Sequence, residues 1–515
     1  MLKKLSFLTR VSLLLGFFFT LDKVLGFVRT ILIARQFQLS YELDAFNAAN
    51  NLPNLLFVLI SGGGLSMALI PVLSEYLTAK GRRVAWDLFS RVGNLAFLVT
   101  ITIAVVIAIF AGPIVRSQIG IAPGFSPDRQ RLIAQLMQLN LIATCIFSLS
   151  GLVTAGLQTN QHFFLPALAP ILYNVGQIFG VLVLSPTTPY TIGPLTLPAF
   201  GFGVQGLVYG VIIGAVLHLA IQIPGLIRYQ FHWIPAIDIR NTGVIEVLRV
   251  LGPRLLTMFL IQLMFIARDN LASRLGQVGA ITSLTYGWMI MQVPETLIGT
   301  AIATAILPTL AELASRGNWA DFRTTVEKAF RVVIVLSLPV TAVMAAGIRP
   351  LVAVAFHFDA AGTALLTWTT RVYLLTLAGY NMQEIMARAF YSRREAIYPL
   401  YSALIRIGLY LLIGISVVVF FRRLGAPAIA AAELSLTVEA LIMLVWLNRR
   451  LEHKVTAWSA FFRGLGAAVL SGLAAYALAL YLPGPAFVTA LVGMAAGGLL
   501  SLPIIWPDVR LLLRL

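Results

Sequence analysis

Residues 68–75 read ALIPVLSE and residues 305–312 read AILPTLAE, the same pattern repeated at an offset of 237 residues. The proline and the glutamate of the two copies agree in register, and a basic loop follows each copy. A second, weaker similarity relates LQTNQHFFLP at 157–166 to FYSRREAIYP at 390–399. The sequence therefore predicts two parallel halves related by an axis along the membrane normal. The alternative is chance similarity between apolar segments that share a small alphabet.

The composition surrounding these repeats excludes a soluble domain. Of the 515 residues, 59% are hydrophobic and 11% are charged, and the mean hydropathy is +0.90. Soluble domains are about 45–50% apolar and about 25% charged. One cysteine excludes a disulfide framework or a metal cluster built on cysteine. The net charge of +17 is dispersed in short clusters between apolar runs, which is typical of membrane loops and not of a nucleic-acid-binding surface.

Apolar runs of about 20 residues predict an all-α polytopic membrane protein with about 14 transmembrane helices. The first span is expected to remain uncleaved, because no small-residue cleavage site follows it. The predicted spans are 8–36, 46–78, 88–115, 130–157, 163–185, 200–227, 244–274, 279–313, 327–347, 363–391, 397–420, 427–448, 458–481 and 485–506.

Basic residues predict the orientation of these spans. About 23 of the 37 Lys and Arg residues lie at one set of span ends and 9 at the opposite set. Cytoplasmic loops carry the excess of Lys and Arg, so both termini are expected in the cytoplasm. An even number of spans agrees with this orientation.

We predict two pseudo-symmetric six-helix lobes and two further C-terminal helices. The N-terminal lobe is 1–227 with spans 1–6, and the C-terminal lobe is 228–455 with spans 7–12. The remaining 456–515 holds spans 13 and 14, whose Gly- and Ala-rich surfaces suit a groove for a lipid tail. Close helix packing through small residues is the alternative for this pair.

Charged residues inside the first and seventh spans predict the substrate site. A charge at bilayer depth costs about 2.5–3.5 kcal/mol and therefore usually has a function. Arg29, Lys23 and Arg268 are predicted to face a central chamber and to bind an anion, with phosphate as the natural ligand of an arginine fork. The alternatives are that the first two reach an interface, and that Arg268 and Asp269 pair with neighbouring groups.

The helical period separates two of these cations. Lys23 and Arg29 are six residues apart, which places them about 120° from each other on an ideal helix. They can share one narrow stripe only if the helix breaks, and Gly26 between them permits a bend.

Two segments are candidate hinges. The second span carries Gly62, Gly63 and Gly64, and the matching span of the second half carries Pro294. Glycine and proline inside a helix favour bending or unwinding, which transporters place where a cavity wall moves. Close packing of small residues is the alternative for the glycines. Asp44 opens the second span and suits a helix N-terminus.

Motifs for catalysis are missing from the sequence, which has no Walker loop, HExxH pair, GxSxG elbow or CxxC cluster. We therefore predict no enzymatic activity, no metal site and no cofactor. A transporter powered by a coupling ion or by the membrane potential fits better, because a cationic site that crosses the bilayer experiences that field.

Several motifs resemble the MurJ/MviN family of lipid II flippases, which act in bacterial peptidoglycan synthesis. The matching stretches are LGFVRTILIARQF at 25–37, LDAFNAANNLPNLL at 43–56, ALIPVLSEY at 68–76, PALAPILYN at 166–174, GPRLLTMFLIQ at 252–262 and YGWMIMQVPETLIGTAIATAILPTLAE at 286–312. The resemblance implies the fold of the multidrug/oligosaccharidyl-lipid/polysaccharide exporters, with a lipid-tail groove in the last two helices. It also implies alternating access and location in the bacterial cytoplasmic (inner) membrane.

The resemblance also implies roles for single residues. Arg29 matches a family arginine that lines the cavity, Lys23 stands at a second arginine position, and Asp44 matches the family's acid before the second span. Asn54 lies in the matching LPNLL stretch, and we assign it with Asp44 to cavity and gating. The chain departs from the family pattern at the positions Phe57, Val58, Gly62, Trp288, Met289 and Arg268.

The sequence thus predicts a flippase that moves lipid II, an undecaprenyl-diphosphate-linked precursor, from the inner to the outer leaflet. Its expected partners are lipid II or a related polyprenyl-diphosphate saccharide, membrane lipids and cell-wall synthesis proteins. The departures at Phe57, Val58 and Met289 keep two alternatives open. One is export of another prenyl-linked glycan or amphiphile, and the other is a degenerate, non-transporting scaffold for cell-wall enzymes.

Overall fold

The computed structural model describes residues 7–61 and 64–511, and almost all of them are helical. Within these residues, ten helices are long and apolar enough to cross a membrane. Four further helical stretches of membrane length lie at 7–37, at 41–61 with 64–79, at 242–273 and at 360–392. The described chain therefore confirms the predicted all-α membrane class and agrees with about 14 spans.

The backbone divides into two compact units, Met1–Arg274 and Leu275–Leu515. In the first unit the helices are α1 (Phe7–Phe37), α2 (Tyr41–Ala49), α3 (Asn51–Leu56), α4 (Gly64–Ala79), α5 (Arg82–Arg116), α6 (Pro127–Thr159), α7 (Phe164–Phe179), α8 (Val204–Ala220), α9 (Ile223–Arg228) and α10 (Thr242–Ser273). A short hairpin, β1 (Thr191–Ile192) with β2 (Leu195–Thr196), connects α7 to α8.

The second unit begins with the eighth span. Its helices are α11 (Ala280–Glu295), α12 (Ala301–Ser315), α13 (Trp319–Phe356), α14 (Ala360–Leu375), α15 (Leu377–Ser392), α16 (Ile397–Phe420), α17 (Ala426–Ala431), α18 (Ser435–Asn448), α19 (Trp458–Tyr481) and α20 (Ala486–Val509). The seventh span, α10, belongs to the first unit, whereas the predicted C-terminal lobe begins at 228. The lobe limits themselves stay a prediction.

The sequence repeat coincides with a structural one. A π-helical turn at Phe57–Ser61 precedes α4, and another at Thr296–Thr300 precedes α12. Each of the two following helices contains its repeat copy, with the shared proline inside the helix. A π-turn widens the helix by one residue and commonly marks a functional position. The two halves therefore share a local irregularity as well as a sequence pattern.

Each unit has its own apolar core. In the first, helices α4, α5, α6 and α10 meet around fully buried side chains such as Leu69, Trp86 and Val244. In the second, helices α12, α13, α15 and α18 meet around Phe322, Phe390 and other buried residues. Burial of this apolar surface stabilises each unit, while the outward faces of helices such as α5 and α16 remain apolar, as lipid contact requires.

The last two helices pack through small residues. Helix α19 lies against α20, and both contact α13. A Cβ built at Gly497 would lie 2.5 Å from the carbonyl oxygen of Ser471, and one at Gly493 would lie 2.7 Å from that of Ala475. Only glycine permits this approach. The close-packing interpretation of this pair therefore holds at its inner face, while the lipid-tail groove stays a prediction.

Candidate functional site

A neutral amide holds Arg29 on α1. Arg29 Nη1 donates a hydrogen bond to Asn174 Oδ1 on α7 at 2.9 Å, and Asn174 Nδ2 donates to Asp22 Oδ1 at 2.8 Å. Asp22 and Arg29 are seven residues apart, so both lie on the α1 face that contacts α7. An amide accepts and donates at once, which lets one asparagine serve a cation and an anion together. We call these three residues the Asp22–Asn174–Arg29 chain.

Most N–H donors of the Arg29 side chain make no hydrogen bond within the described residues. A guanidinium has five N–H donors, and within the described residues Arg29 makes its one side-chain hydrogen bond to Asn174. Its side chain is partly accessible. Because its partner carries no charge, Arg29 remains able to bind an anion such as a phosphate.

An apolar cleft adjoins the Asp22–Asn174–Arg29 chain. It has a volume of about 380 Å³ and runs between α1 and α7. Its lining comprises Leu15, Gly16, Phe18, Phe19, Asp22, Ala167 and Pro170. The acidic end of the polar chain therefore faces a surface that is otherwise apolar.

Lys23 stands on a different face of α1. It is exposed, and its Nζ lies 5.1 Å from the ring centroid of Phe19. Helix α1 continues without a break through Gly26, so the break that would place both cations on one stripe does not form. Arg29 thus contacts α7, whereas Lys23 is exposed beside Phe19. Their joint binding of one anion stays a prediction.

Arg268 on α10 is buried and paired. Its Nε donates to Asp269 Oδ1 at 2.8 Å, and its guanidinium lies 5.3 Å from the Phe265 ring centroid. Asp269 Oδ2 in turn accepts a hydrogen bond from Asn51 Nδ2 at 2.8 Å. The pairing that the sequence analysis kept as an alternative is therefore present. The role of Arg268 in substrate binding stays a prediction.

The predicted gating residues of the second span lie on two short helices. Asp44 is fully buried in the first turn of α2, whose cap Ser40 Oγ accepts a hydrogen bond from Leu43 N. Asn54 is exposed on α3, and its Nδ2 lies 3.4 Å from Gln262 Oε1 on α10. Asp44 thus occupies the predicted helix N-terminus, and Asn54 joins α3 to α10.

Both candidate hinges adjoin a π-helical turn. Gly62 and Gly63 lie outside the described residues, and Gly64 begins α4. The turn Phe57–Ser61 ends directly before this glycine run. Pro294 is buried near the end of α11, two residues before the turn Thr296–Thr300. A π-helical turn therefore lies beside each candidate hinge, and bending or movement there stays a prediction.

A buried ionic cluster in the second unit was not predicted from the sequence. Arg406 Nη2 on α16 donates to Glu433 Oε2 at 2.9 Å, and Arg406 Nη1 lies 3.7 Å from Glu439 Oε2 on α18. Tyr380 of α15 completes the cluster, because its hydroxyl donates to Glu433 Oε2 at 3.4 Å. The signal was available, since all three charges interrupt apolar runs predicted to span the membrane.

A second missed cluster anchors the last two helices. Asp508 on α20 is fully buried and accepts hydrogen bonds from Arg331 Nη2 at 2.8 Å and from Arg463 Nη2 at 3.0 Å. These arginines belong to α13 and α19, so one carboxylate joins three helices. Within the described residues, no group of three His, Cys, Asp or Glu is arranged to hold a metal ion.

Comparison with known proteins identifies relatives along nearly the whole chain. Residues 33–493 match the model of the family described as lipid II flippase MurJ. A lipid II flippase MurJ from Burkholderia cenocepacia is 30% identical over 486 residues, covering 90% of this chain and 89% of the relative. A probable lipid II flippase MurJ from Synechocystis sp. is 25% identical over 446 residues, covering 84% of this chain and 80% of the relative.

Solved structures share the fold. One described as lipid II flippase MurJ in an inward closed conformation superposes with a TM-score of 0.78 at 19% identity, covering 97% of this chain and 100% of that one. An inward-facing multidrug resistance transporter of the MATE family and MOP superfamily gives a TM-score of 0.64 at 16% identity, covering 83% and 94%. The exporter fold implied by the sequence motifs is therefore confirmed.

Proposed function

This chain belongs to the lipid II flippase MurJ family, and we propose that it moves lipid II from the inner to the outer leaflet of the bacterial cytoplasmic membrane. It is a multi-pass membrane protein. The proposed movement is transport by alternating access and involves no catalysis. Both termini lie in the cytoplasm in this proposal, as the distribution of basic residues favours.

The observation that carries the proposal is the environment of Arg29. A polyprenyl-diphosphate substrate presents a compact anion, and a guanidinium binds such oxygens through paired N–H donors. Arg29 is oriented by Asn174 without being neutralised by it. The arrangement provides an oriented, partly accessible cation at the depth of a predicted span, which supports binding of the diphosphate.

The departures from the family pattern define the alternative substrates. Where the family commonly carries arginines or an Asp-Arg pair, this chain has Phe57, Val58, Trp288 and Met289. A site with fewer cations binds a diphosphate less tightly and selects its glycan by other contacts. A different polyprenyl-diphosphate glycan is therefore the alternative that the substrate test must separate from lipid II.

Native mass spectrometry of the purified protein tests the substrate. Lipid II, other prenyl diphosphates and hydrophobic cations are presented at equal concentration. Retention of lipid II in preference to the others supports the proposal. Preference for another prenyl diphosphate would assign that glycan instead, and preference for the cations would reject a diphosphate site.

Depletion in the host separates a transporter from a scaffold. Loss of a flippase raises lipid II in the inner leaflet, whereas loss of a scaffold for cell-wall enzymes leaves its distribution between leaflets unchanged. A genome that encodes a second relative carrying the family arginines must first lose that gene, because the relative would mask the effect. Re-expression of the wild-type chain is the control and should restore the distribution.

A further inference from the structure

The segment 229–241, which connects α9 to α10, alternates between buried and exposed side chains. Residues 231–238 form neither a helix nor a strand. From His232 onwards the even-numbered residues are partly buried, and the odd-numbered residues Trp233, Pro235, Ile237 and Ile239 are exposed. A period of two places alternate side chains on opposite sides of an extended chain. We call the four exposed residues the apolar ridge.

Helix α5 holds this connection by its backbone. Asn94 Nδ2 donates hydrogen bonds to the carbonyl oxygens of Ile234 at 2.7 Å and of Ala236 at 2.9 Å. Asn94 Oδ1 accepts a hydrogen bond from Trp233 Nε1 at 2.8 Å. One asparagine therefore uses both ends of its amide on the connection, and the apolar ridge stays on the exposed side.

The apolar ridge is too hydrophobic for a surface that faces only water. Trp233, Ile237 and Ile239 are 61%, 53% and 61% exposed, and they are separated by one or three residues of the same short segment. Leaving adjacent large apolar side chains in water is unfavourable, and an exposed patch of this kind marks an interaction surface. Either lipid or another protein is therefore expected to cover the ridge.

The backbone of the connection limits how deep the ridge can lie in a membrane. Irregular segments exposed to lipid do not occur within the hydrocarbon core, because their backbone polar groups find no partner there. Among the described residues, the backbone N–H groups of Trp233 and Ile237 donate to no protein acceptor. These groups need water or lipid headgroups, so the connection fits the interface and not the hydrocarbon core.

Helix α5 gives the same depth independently. Trp86 Nε1 donates to the carbonyl oxygen of Tyr229 at 3.1 Å, and Asn94 binds the connection two turns further along, so the contact covers about 12 Å of α5. The exposed apolar surface of α5 begins one turn later at Leu98 and continues to Phe110. The ridge therefore borders the part of α5 that faces lipid, and tryptophan is enriched at such borders.

The charges around the ridge are predominantly positive. The acids in contact with the connection have partners, since Asp238 pairs with Arg91 at 3.2 Å and Asp87 lies 3.1 Å from His232. The other exposed charges on this connection and on the adjoining parts of α4, α5, α9 and α10 are Lys80, Arg82, Arg83, Arg228, Arg240 and Arg249 against Glu75 and Glu246. A cluster of about four to eight Lys and Arg beside a span attracts anionic lipid headgroups.

We propose that the connection 229–241 is an interfacial anchor that binds anionic phospholipids. It lies in the headgroup layer of the leaflet next to the start of α5, which is the cytoplasmic leaflet in the orientation proposed above. The apolar ridge enters the boundary between headgroups and acyl chains, and the surrounding basic residues contact the phosphates. The excess positive charge and the continuity with the lipid-facing surface of α5 favour lipid over a protein partner. This inference is independent of the substrate that the protein moves.

Site-directed spin labelling tests the position of the ridge. The protein carries Cys145→Ser and one label, and it is reconstituted in vesicles that contain phosphatidylglycerol. Labels at Ile237→Cys and Ile239→Cys should be more accessible to oxygen, which concentrates in lipid, than to a water-soluble nickel chelate. A label at Leu98→Cys should lie deeper. The matched control Ala236→Cys, from the partly buried side of the same segment, should be shielded from both reagents.

Two results of the labelling would overturn the proposal. Greater accessibility of the labels at 237 and 239 to the nickel chelate would place the ridge in water. Shielding of both labels from both reagents would show that protein covers the ridge.

Native mass spectrometry tests the class of lipid. When phosphatidylglycerol and phosphatidylcholine are offered at equal concentration, the wild-type protein should retain phosphatidylglycerol preferentially. Arg228→Gln combined with Arg240→Gln should reduce this preference about fivefold for each arginine removed. The control Arg116→Gln combined with Arg423→Gln removes two exposed arginines away from the connection and should keep the preference. Equal preferences of the two double variants would reject the binding of anionic lipid at this site.

Discussion

Two intramembrane arginines, one in each unit, have opposite surroundings. Arg29 in the first unit donates a hydrogen bond to the neutral amide of Asn174. The Asp22 carboxylate accepts a hydrogen bond from the nitrogen of the same amide. Arg406 in the second unit lies between two buried carboxyls, Glu433 and Glu439. The charge of Arg29 therefore remains available to a ligand, whereas the charge of Arg406 is already compensated by two carboxyls.

The difference shows that a charge inside a membrane span does not by itself define a ligand site. The deciding factor is whether oppositely charged groups of the protein already compensate that charge. An arginine oriented by an amide attracts an anion, while the charge of an arginine enclosed by carboxylates is already compensated. The same residue type thus suits a lipid phosphate in one unit and holds helices together through ion pairs in the other.

The largest expected effect is on stability, from Arg406→Ala. Removing one partner of a buried ion pair leaves a carboxylate uncompensated, so the free energy of unfolding should fall by about 3–5 kcal/mol. Thermal unfolding in detergent measures this loss, with the exposed Arg423→Ala of the same unit as the control. The double variant Arg406→Met with Glu433→Gln should recover part of the loss, because it also removes one of the two carboxylates left uncompensated. No recovery would show that the uncompensated Glu433 carboxylate is not the source of the loss.

Arg29→Ala should weaken binding of lipid II without a comparable loss of stability. A charge-assisted hydrogen bond contributes about 1.5–3 kcal/mol, which corresponds to roughly ten- to a hundredfold in affinity. Titration with lipid II in detergent measures the change, and complementation at normal expression should fail in parallel. The exposed Arg116→Ala removes the same charge from α5 and should bind as the wild type does. Equal binding by both variants would remove Arg29 from the site.

Asn174→Asp should make the surroundings of Arg29 resemble those of Arg406, which is paired with carboxylates. A carboxylate in place of the amide would pair with Arg29 and reduce its attraction for phosphate, at about 1–2 kcal/mol or roughly tenfold in affinity. Asn174→Ser shortens the side chain without adding charge and should cost less than Asn174→Asp. If the serine variant binds more weakly than the aspartate variant, Asn174 acts by orientation alone and the comparison of charges is wrong.

Lys23→Ala should have the smallest effect. Lys23 is exposed beside Phe19, and a cation–π contact at such a site contributes only about 0.5–1 kcal/mol. We expect the affinity for lipid II to change less than about fivefold, measured in the same titration as Arg29→Ala. A loss as large as that of Arg29→Ala would instead support the sequence-based prediction that both cations bind one anion.

The sequence predicted the positions of the irregular helices better than the contacts of their charges. Gly64 and Pro294 were selected because glycine and proline disrupt helices, and a π-helical turn adjoins each of them. This preference is local, so it can be inferred from a short window. Pairing of Arg268 and Asp269 with neighbouring groups was retained as an alternative, and the structure pairs them with each other.

The partner of Arg29 could not be found in this way. Asn174 is one of many polar residues in the apolar spans, and it lies 145 residues from Arg29 in the sequence. Glu433 and Glu439 were visible as charges inside a span, but nothing local indicated that they share Arg406. Side-chain pairs of this kind depend on which helices pack together and at what rotation, and the hydrophobic pattern along one helix specifies neither.

The amino-acid sequence by itself determined that this is a duplicated, all-helical membrane protein, because span length, hydropathy and repeat register are properties of contiguous residues that lipid enforces on each helix separately. Only the tertiary structure decided which intramembrane charges are matched and which remain available. That outcome depends on contacts such as Asn51 with Asp269, 218 residues apart, and electrostatic energy at such sites is set by distance in space.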